Sequence, residues 1–178
     1  QRFFPSRDLD YIFATHADPD IIASLNKWMV ATHCKVMISR LWTRFVPHFT
    51  TGKDYSARIV GIPDEGMNIA LGDSRIKALP AHFMHSEGNF QFYDPVSKIL
   101  FSGDMGASLV DHEQAALPVR DFDDHVITMA GFHRRYMISN KICRFWVNMV
   151  RQLDVEMIVP QHGCRFEGKA MVNRFLDW

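Results

Sequence analysis

Four apolar stretches of this sequence each end within two residues of a side chain that can bind a metal ion. "LDYIFAT" leads into His16, "KALPAHFM" into His85, "KILFS" into Asp104 and "VEMIVP" into His162. β-Branched and aromatic residues in short runs predict β-strands. A chain in which four strands deliver such groups to their ends is expected to bring those ends together. This restricts the fold to a layered arrangement whose strand ends share one edge.

The first of these stretches continues into the motif "THADPD", which carries three potential ligands. In an extended backbone His16 and Asp18 point the same way, whereas a bend before the next helix would send Asp20 in a different direction. Asp20 also has a second interpretation as a helix N-cap. Each histidine taken alone is more often structural than a ligand. Taken jointly, the groups favour a metal site, and two directions at the motif favour two ions.

The order of the predicted elements indicates an α/β protein. Strands at 9–15 and 34–39 are each followed by a helical pattern, "PDIIASLNKWMVAT" and "RLWTRFVPHF", which is typical of parallel crossovers. From residue 57 short extended runs separated by Gly, Pro and Asp predict a meander. A helical region at roughly 121–152, the strand "VEMIVP" and a helix in "RFEGKAMVNRFLDW" complete the prediction.

Length and charge exclude several classes of partner and organisation. The 178 residues predict a single domain over 1–178. Equal numbers of basic and acidic residues give no basic surface for nucleic acid or an anionic membrane. We see neither a membrane helix nor a signal peptide, and three cysteines without C-x-x-C spacing predict reduced thiols. We therefore expect a cytoplasmic protein that binds neither nucleic acid nor membrane.

The residue types indicate which metals to expect. Imidazole and carboxylate together suit iron, zinc or manganese, and a carboxylate such as Asp104 can bridge two ions and offset their repulsion.

Elsewhere, the polar cluster of His133, Arg134, Arg135 and Tyr136 has two interpretations, an anion-binding group facing the metals or a solvated helix surface. The second is favoured.

Four segments, "THADPD", "HFMHSEGNF", "LFSGDMGA" and "VPQHGCRF", resemble the successive metal motifs of the metallo-β-lactamase superfamily. The first motif resembles the branch that reads H-x-[E/D]-x-D. That branch contains the flavodiiron proteins and their relatives without a flavodoxin domain, the oxygen-binding diiron proteins. The segments occur in the family's order across residues 9–166. The resemblance implies an αββα sandwich with its metals at the edge where the loops of the two sheets meet.

The resemblance also implies a ligand set for two iron ions. It assigns His16, Asp18 and His85 to one iron. It assigns Asp20 and His162 to the other iron, and Asp104 as the bridge between them. The chain departs from the family at two positions. Asp18 stands where flavodiiron proteins usually have Glu, and Ile21 stands where the wider superfamily has a histidine ligand. The second iron is therefore expected to keep an open position.

These features imply a non-haem diiron protein that binds or reduces dioxygen, with nitric oxide as another ligand to consider. It would act as an oxygen sensor or as an oxidoreductase supplied by an external electron donor, because no flavodoxin phosphate loop is visible and no flavin is expected to bind. Whether it is an enzyme is left open. The alternative is a dinuclear hydrolase, with zinc or manganese, that cleaves a phosphodiester, lactone or thioester.

The N-terminus bears on assembly. Fifteen residues precede His16, whereas the family core has further strands before its first motif. Either upstream residues lie outside this sequence, or another chain completes the first sheet. We expect a homodimer that covers the exposed edges.

Overall fold

The computed structural model describes residues 9–51 and 53–178, which form two compact units. The first unit ends at Asp64, and the second covers Glu65–Trp178. Each unit combines one β-sheet with helices. The predicted α/β class is therefore confirmed. None of the helices in the described ranges has the length and apolar character required to span a bilayer.

The first unit is built on a parallel sheet of three strands in the order β1, β2, β3. Their bounds are Tyr11–Phe13, Lys35–Ser39 and Ile59–Ile62. Phe13 lies opposite Met37, and Val36 lies opposite Ile59. The parallel crossover predicted between 9–15 and 34–39 is confirmed. The third strand was predicted as part of the meander, and this is wrong, because Ile59–Ile62 pairs with β2 instead.

The helical segments of the first unit are shorter than predicted. The first is divided into α1, Pro19–Ile22, and α2, Leu25–Ala31. Both contribute to the same buried core, so the helical spacing of their apolar residues does not distinguish one helix from two. In place of the second predicted helix the chain forms 3₁₀ turns at Arg40–Trp42 and Val46–Phe49, with Pro47 in the second.

The second unit contains a six-stranded sheet in sequential order from β4 to β9. The strands are Met67–Leu71, Ser74–Pro80, Phe90–Asp94, Ile99–Gly103, Met157–Pro160 and Phe166–Glu167. The meander from β4 to β7 is antiparallel, as predicted. β7 and β8 pair in parallel, with Gly103 opposite Pro160. The residues that follow these two strands therefore leave the same edge of the sheet.

Four helices belong to the second unit. They are α3, His112–Ala115; α4, Phe122–Tyr136; α5, Asn140–Val150; and α6, Lys169–Asp177. The region predicted at 121–152 is thus two helices, because Ser139 adopts an extended conformation and caps α5 by accepting from the Ile142 N–H. α6 begins after β9, where Gly168 has a φ of 85°. The helices pack with the sheet around a core that includes Leu100, Met129 and Ile158.

Candidate metal-binding residues

In the first unit, the residues after β1 place an imidazole and a carboxylate side by side. His16 Nε2 lies 3.6 Å from Asp18 Oδ2. The other ring nitrogen, Nδ1, lies 2.9 Å from the hydroxyl of Thr15, which can fix the tautomer and orientation of the ring. His16 and Asp18 therefore point the same way, as the extended motif predicts.

The start of α1 decides between the two interpretations of Asp20. Asp18, not Asp20, occupies the N-cap position, and its backbone carbonyl accepts from the N–H groups of Ile21 and Ile22 at 3.0 Å. Pro19 fills the first helical position. Asp20 lies in the first turn of the helix and is exposed. The interpretation of Asp20 as the N-cap of this helix is therefore wrong.

In the second unit, His85 lies in the loop between β5 and β6, and Asn89 organises that loop. The buried Asn89 amide donates to the carbonyl of Met84, and the Ala81 N–H donates to the Asn89 carbonyl at 2.9 Å. The peptide before His85 is thus hydrogen-bonded to a residue next to β6. Asn89 was not singled out from the sequence, because a lone Asn in a loop gives no signal of its own.

The Asp104 carboxylate lies between two imidazoles. Its Oδ2 is 2.9 Å from His85 Nε2, and its Oδ1 is 3.9 Å from His162 Nε2. Asp104 is 5% exposed, whereas about half of the His162 side chain is exposed. Each carboxylate oxygen thus faces a different histidine. This is the arrangement that a carboxylate bridging two cations requires.

The turn that carries Asp104 is held on both sides. The Ser102 hydroxyl donates to the Met105 carbonyl at 2.6 Å, and the Ala107 N–H donates to the Asp104 carbonyl at 3.0 Å. From α4, His133 Nε2 accepts the Gly106 N–H at 2.9 Å. The turn therefore has little freedom to move the carboxylate.

Ser108 connects this turn to the loop of His162. Its N–H donates to the His162 carbonyl at 3.3 Å, and its hydroxyl accepts the Cys164 N–H at 3.4 Å. Between them, Gly163 has a φ of 87°, and a Cβ there would lie 1.9 Å from the Ser108 hydroxyl. Only glycine fits this contact without displacement. The Cys164 thiol is buried and donates to the Gln114 carbonyl, as expected of a structural cysteine.

Aromatic side chains from α4 flank His85. The ring of Phe132 lies 5.9 Å from the imidazole in an edge-on arrangement, and that of Tyr136 lies 5.5 Å away. Part of the cluster around Tyr136 therefore faces a candidate ligand. His133 is buried, so the solvated-surface interpretation is wrong for this residue, whereas Arg134 and Arg135 are exposed.

Burial also determines the charge of two histidines of α4. It lowers the pKa of His133, although the hydrogen bond from its ring to the Met129 carbonyl opposes the shift, and it lowers the pKa of His125. Because His133 Nε2 accepts the Gly106 N–H while Nδ1–H donates to Met129, the hydrogen bonds also require a neutral ring. His133 therefore acts as a neutral support of the Asp104 turn.

The donor set fits a pair of iron ions chemically. It consists of three imidazoles and three carboxylates. The structure places His16 beside Asp18 in the first unit and Asp104 between His85 and His162 in the second, while Asp20 lies in the first turn of α1. Carboxylates offset the charge of two divalent ions and favour iron, while imidazole nitrogen suits the same metal. The residues present are therefore sufficient in type and number for two cations.

Known proteins that are similar to this chain include diiron proteins. Residues 1–163 match the family described as ODP family β-lactamase. Two solved structures of the chemotaxis sensor ODP, one of its peroxy diiron species and one of its apo state from T. denticola, are 46% identical in sequence with a TM-score of 0.87. The first covers 96% of this chain, which in turn covers 69% of it.

More distant proteins are similar in fold or in sequence. Rubredoxin oxygen:oxidoreductase from Desulfovibrio gigas is 16% identical, with a TM-score of 0.82 over 95% of this chain and 42% of its own. An uncharacterized protein of Methanocaldococcus jannaschii is 23% identical over 99% of this chain. The chain spans 45% of that curated relative's length. These likenesses confirm the metallo-β-lactamase-like fold that the motifs implied.

Proposed function

The chain belongs to the ODP family of β-lactamases, and from that premise we propose that it is a non-haem diiron protein that binds dioxygen as an oxygen sensor. The sensor role is supported by 46% identity to the chemotaxis sensor ODP, against 16% to the oxygen:oxidoreductase. One observation carries the diiron proposal. The buried Asp104 carboxylate presents one oxygen to His85 and the other to His162.

The proposed ligands are the six residues implied by the motifs. His16, Asp18 and His85 would hold one iron, Asp20 and His162 would hold the other, and Asp104 would be shared between them. Two ferrous ions held there would supply the electrons and the coordination site that dioxygen needs. The chain's own residues set the conditions for this. Thr15 orients the His16 ring, and the carboxylates provide the negative charge that holds two cations together.

The surroundings of the ligands would limit access of water. His85 packs against Phe132 and Tyr136, which leaves mostly apolar surface beside its ring. His162 is the more exposed imidazole, and Ile21 supplies no donor where the superfamily has a histidine. We therefore propose that dioxygen approaches the iron held by Asp20 and His162. As parts of the same proposal, residues 1–178 act as one diiron domain in the cytoplasm, and the protein is a homodimer.

The competing functions differ in what they need. An oxidoreductase would need an external electron donor, whereas a sensor needs only a reversible or slowly discharged adduct. A hydrolase would need zinc or manganese and an activated water at the same residues. The hydrolase is disfavoured because carboxylates make up half of the proposed donor set.

The test is metal and spectral analysis of protein purified without air. We expect about two iron ions per chain and a new visible or near-ultraviolet absorption band when the ferrous protein meets dioxygen. Asp104→Asn should lose most of the iron and the band, because an amide neither bridges nor neutralises two cations. Asp73→Asn, at an exposed turn after β4, is the matched control and should keep both.

Three results would overturn or redirect the proposal. Two zinc ions with phosphodiesterase activity and no oxygen-dependent band would establish the hydrolase. Rapid multiple turnover of dioxygen with a reduced electron donor would establish the oxidoreductase. Full iron content in Asp104→Asn would remove the bridging role on which the proposal depends.

A further inference from the structure

The second unit contains a cavity of about 520 Å³ that the proposed metal site does not use. It lies among the C-terminal end of α4, helix α5 and the C-terminal end of α6. The volume is within the range of cavities that hold small organic ligands, roughly 300–1,000 Å³. None of the six proposed metal ligands lines it.

Aromatic and aliphatic side chains form the wall of this cavity. Trp146 and Phe175 are buried with ring centroids 6.1 Å apart, and Trp178 stacks on Phe175 at 6.4 Å. The indole N–H of Trp146 donates to Gln91 at 2.7 Å, so its polar edge is already satisfied within the protein. Val147 adds aliphatic surface to the wall. The cavity is therefore suited to a flat apolar group.

One positive charge accompanies this apolar wall. Among the residues that line the cavity, Arg134 is the only one with a permanently charged side chain. Within the described ranges its guanidinium makes no ion pair with a carboxylate. Asn140 and Ser139 line the same cavity and add an amide and a hydroxyl as possible donors.

The remaining polar side chains of the lining carry no opposing charge. His133 is held neutral by its two hydrogen bonds. Burial raises the pKa of the Cys143 thiol, which keeps it protonated at neutral pH. The side chains of the cavity thus combine apolar walls with one cation and neutral donors.

We propose that this cavity binds a small amphipathic anion, an aromatic or aliphatic group carrying a carboxylate or sulfonate. The apolar body packs against Trp146, Phe175 and Val147, and the anionic group pairs with Arg134. A planar guanidinium can donate two parallel hydrogen bonds to such a group. A free organic acid and the anionic head of a single-chain lipid share this chemistry.

A simpler explanation of Arg134 is its place in the last turn of α4, where cations are favoured by the helix dipole. That explanation applies equally to Arg135, which lies in the same turn but does not line the cavity. The two arginines therefore form a matched pair. A role in ligand binding predicts different effects of replacing them, whereas the dipole predicts similar ones.

The experiment is a fluorescence titration of the purified protein with two dyes that share an apolar body. One is 8-anilinonaphthalene-1-sulfonate, and the other is its uncharged analogue N-phenyl-1-naphthylamine. We expect saturable binding of one anionic dye per chain, with energy transfer from tryptophan. Arg134→Gln should weaken the anionic dye about tenfold, the loss of one charge-assisted interaction, and leave the neutral dye within twofold. Arg135→Gln should change neither.

A second variant tests the location. Val147→Trp should fill the cavity and weaken both dyes at least tenfold, while far-ultraviolet circular dichroism verifies that the variant is folded. If that variant does not fold, Arg134→Gln alone decides the question. Competition by octanoate and by lysophosphatidic acid below its micelle concentration separates a free organic acid from a lipid head.

Equal effects of the two arginine replacements would overturn the proposal, as would non-saturable dye binding. Dye binding that survives in a folded Val147→Trp would do the same. None of the six proposed iron ligands lines the cavity, so the titration can be carried out on metal-free protein and does not depend on the diiron proposal.

Discussion

The backbone N–H of Gly106 donates to Nε2 of His133 at 2.9 Å, which connects helix α4 to the turn carrying Asp104. The other nitrogen of the ring donates to the Met129 carbonyl at 2.8 Å. Both bonds require the neutral tautomer with its proton on Nδ1. His133 therefore supports the turn that carries Asp104.

Replacing His133 by Leu should destabilise the protein and loosen the Asp104 turn. The buried Gly106 N–H would lose its acceptor, at a cost of about 1–3 kcal/mol in the free energy of unfolding. Urea unfolding followed by tryptophan fluorescence measures the change. His112→Leu, at an exposed position of α3, is the control and should change the free energy by less than about 0.5 kcal/mol. A His133→Leu variant as stable as wild type would contradict this role.

Stability should fall in mild acid because of the same histidine. Burial lowers the pKa of His133 and of His125 below the value of about 6.5 in the unfolded chain. Below that pH the unfolded state binds more protons, so the stability present above pH 6.5 is lost as the pH falls. Urea midpoints of metal-free protein at pH 7.5 and 5.5 test this. The decrease should be smaller in His133→Gln, and an unchanged decrease in that variant would assign the effect to other groups.

Gly163→Ala should separate His162 from Asp104. The new Cβ would meet the Ser108 hydroxyl, and alanine also disfavours a φ of 87°. Gly168→Ala is a matched control, since its φ is 85° and nothing lies within 4 Å of the new Cβ. We expect Gly163→Ala to lower the free energy of unfolding by about 1–3 kcal/mol more than the control does, as measured by urea unfolding. Metal analysis should also show a lower iron content in Gly163→Ala. Equal losses in both variants would show that the contact with Ser108 does not matter.

Asn89→Ala should weaken the loop of His85. It removes the amide that donates to the Met84 carbonyl and leaves that carbonyl without this donor, at a cost of about 1–3 kcal/mol. Iron content should also fall, because the loop loses the hydrogen bond that fixes Met84, the residue before His85. Thermal unfolding and metal analysis measure both effects. Asn68→Ala, exposed on β4, should alter neither, and retention of full iron by Asn89→Ala would refute a role of Asn89 in holding His85.

The sequence is a good guide to elements with a strong local pattern and a poor one to their partners. β1, β2 and the meander from β4 to β7 follow from alternating or continuous apolar runs between turn residues. The pairing of Ile59–Ile62 with β2 does not, because a short apolar run is compatible with either sheet. The division of the helical region at Ser139 depends on one extended residue, which helical periodicity does not detect.

The candidate ligands were identifiable because they occur at strand ends in recognisable motifs. Their supports were not. Asn89, Ser108 and His133 are ordinary residue types whose roles arise only when distant segments pack together. Ser108 and Cys164 are 56 positions apart in the chain, and no local pattern connects them. Motifs therefore indicate the candidate ligands, whereas packing determines how firmly those side chains are held.

Because β7 pairs in parallel with β8, Asp104 and His162 become neighbours although 58 positions separate them along the chain. During synthesis on the ribosome the carboxylate emerges well before the imidazole that it faces. In a nascent chain arrested before β8, Asp104, which is buried in the folded protein, would therefore lack part of its surroundings. The pairing of Asp104 with His162 can accordingly form only after β8 has been synthesised.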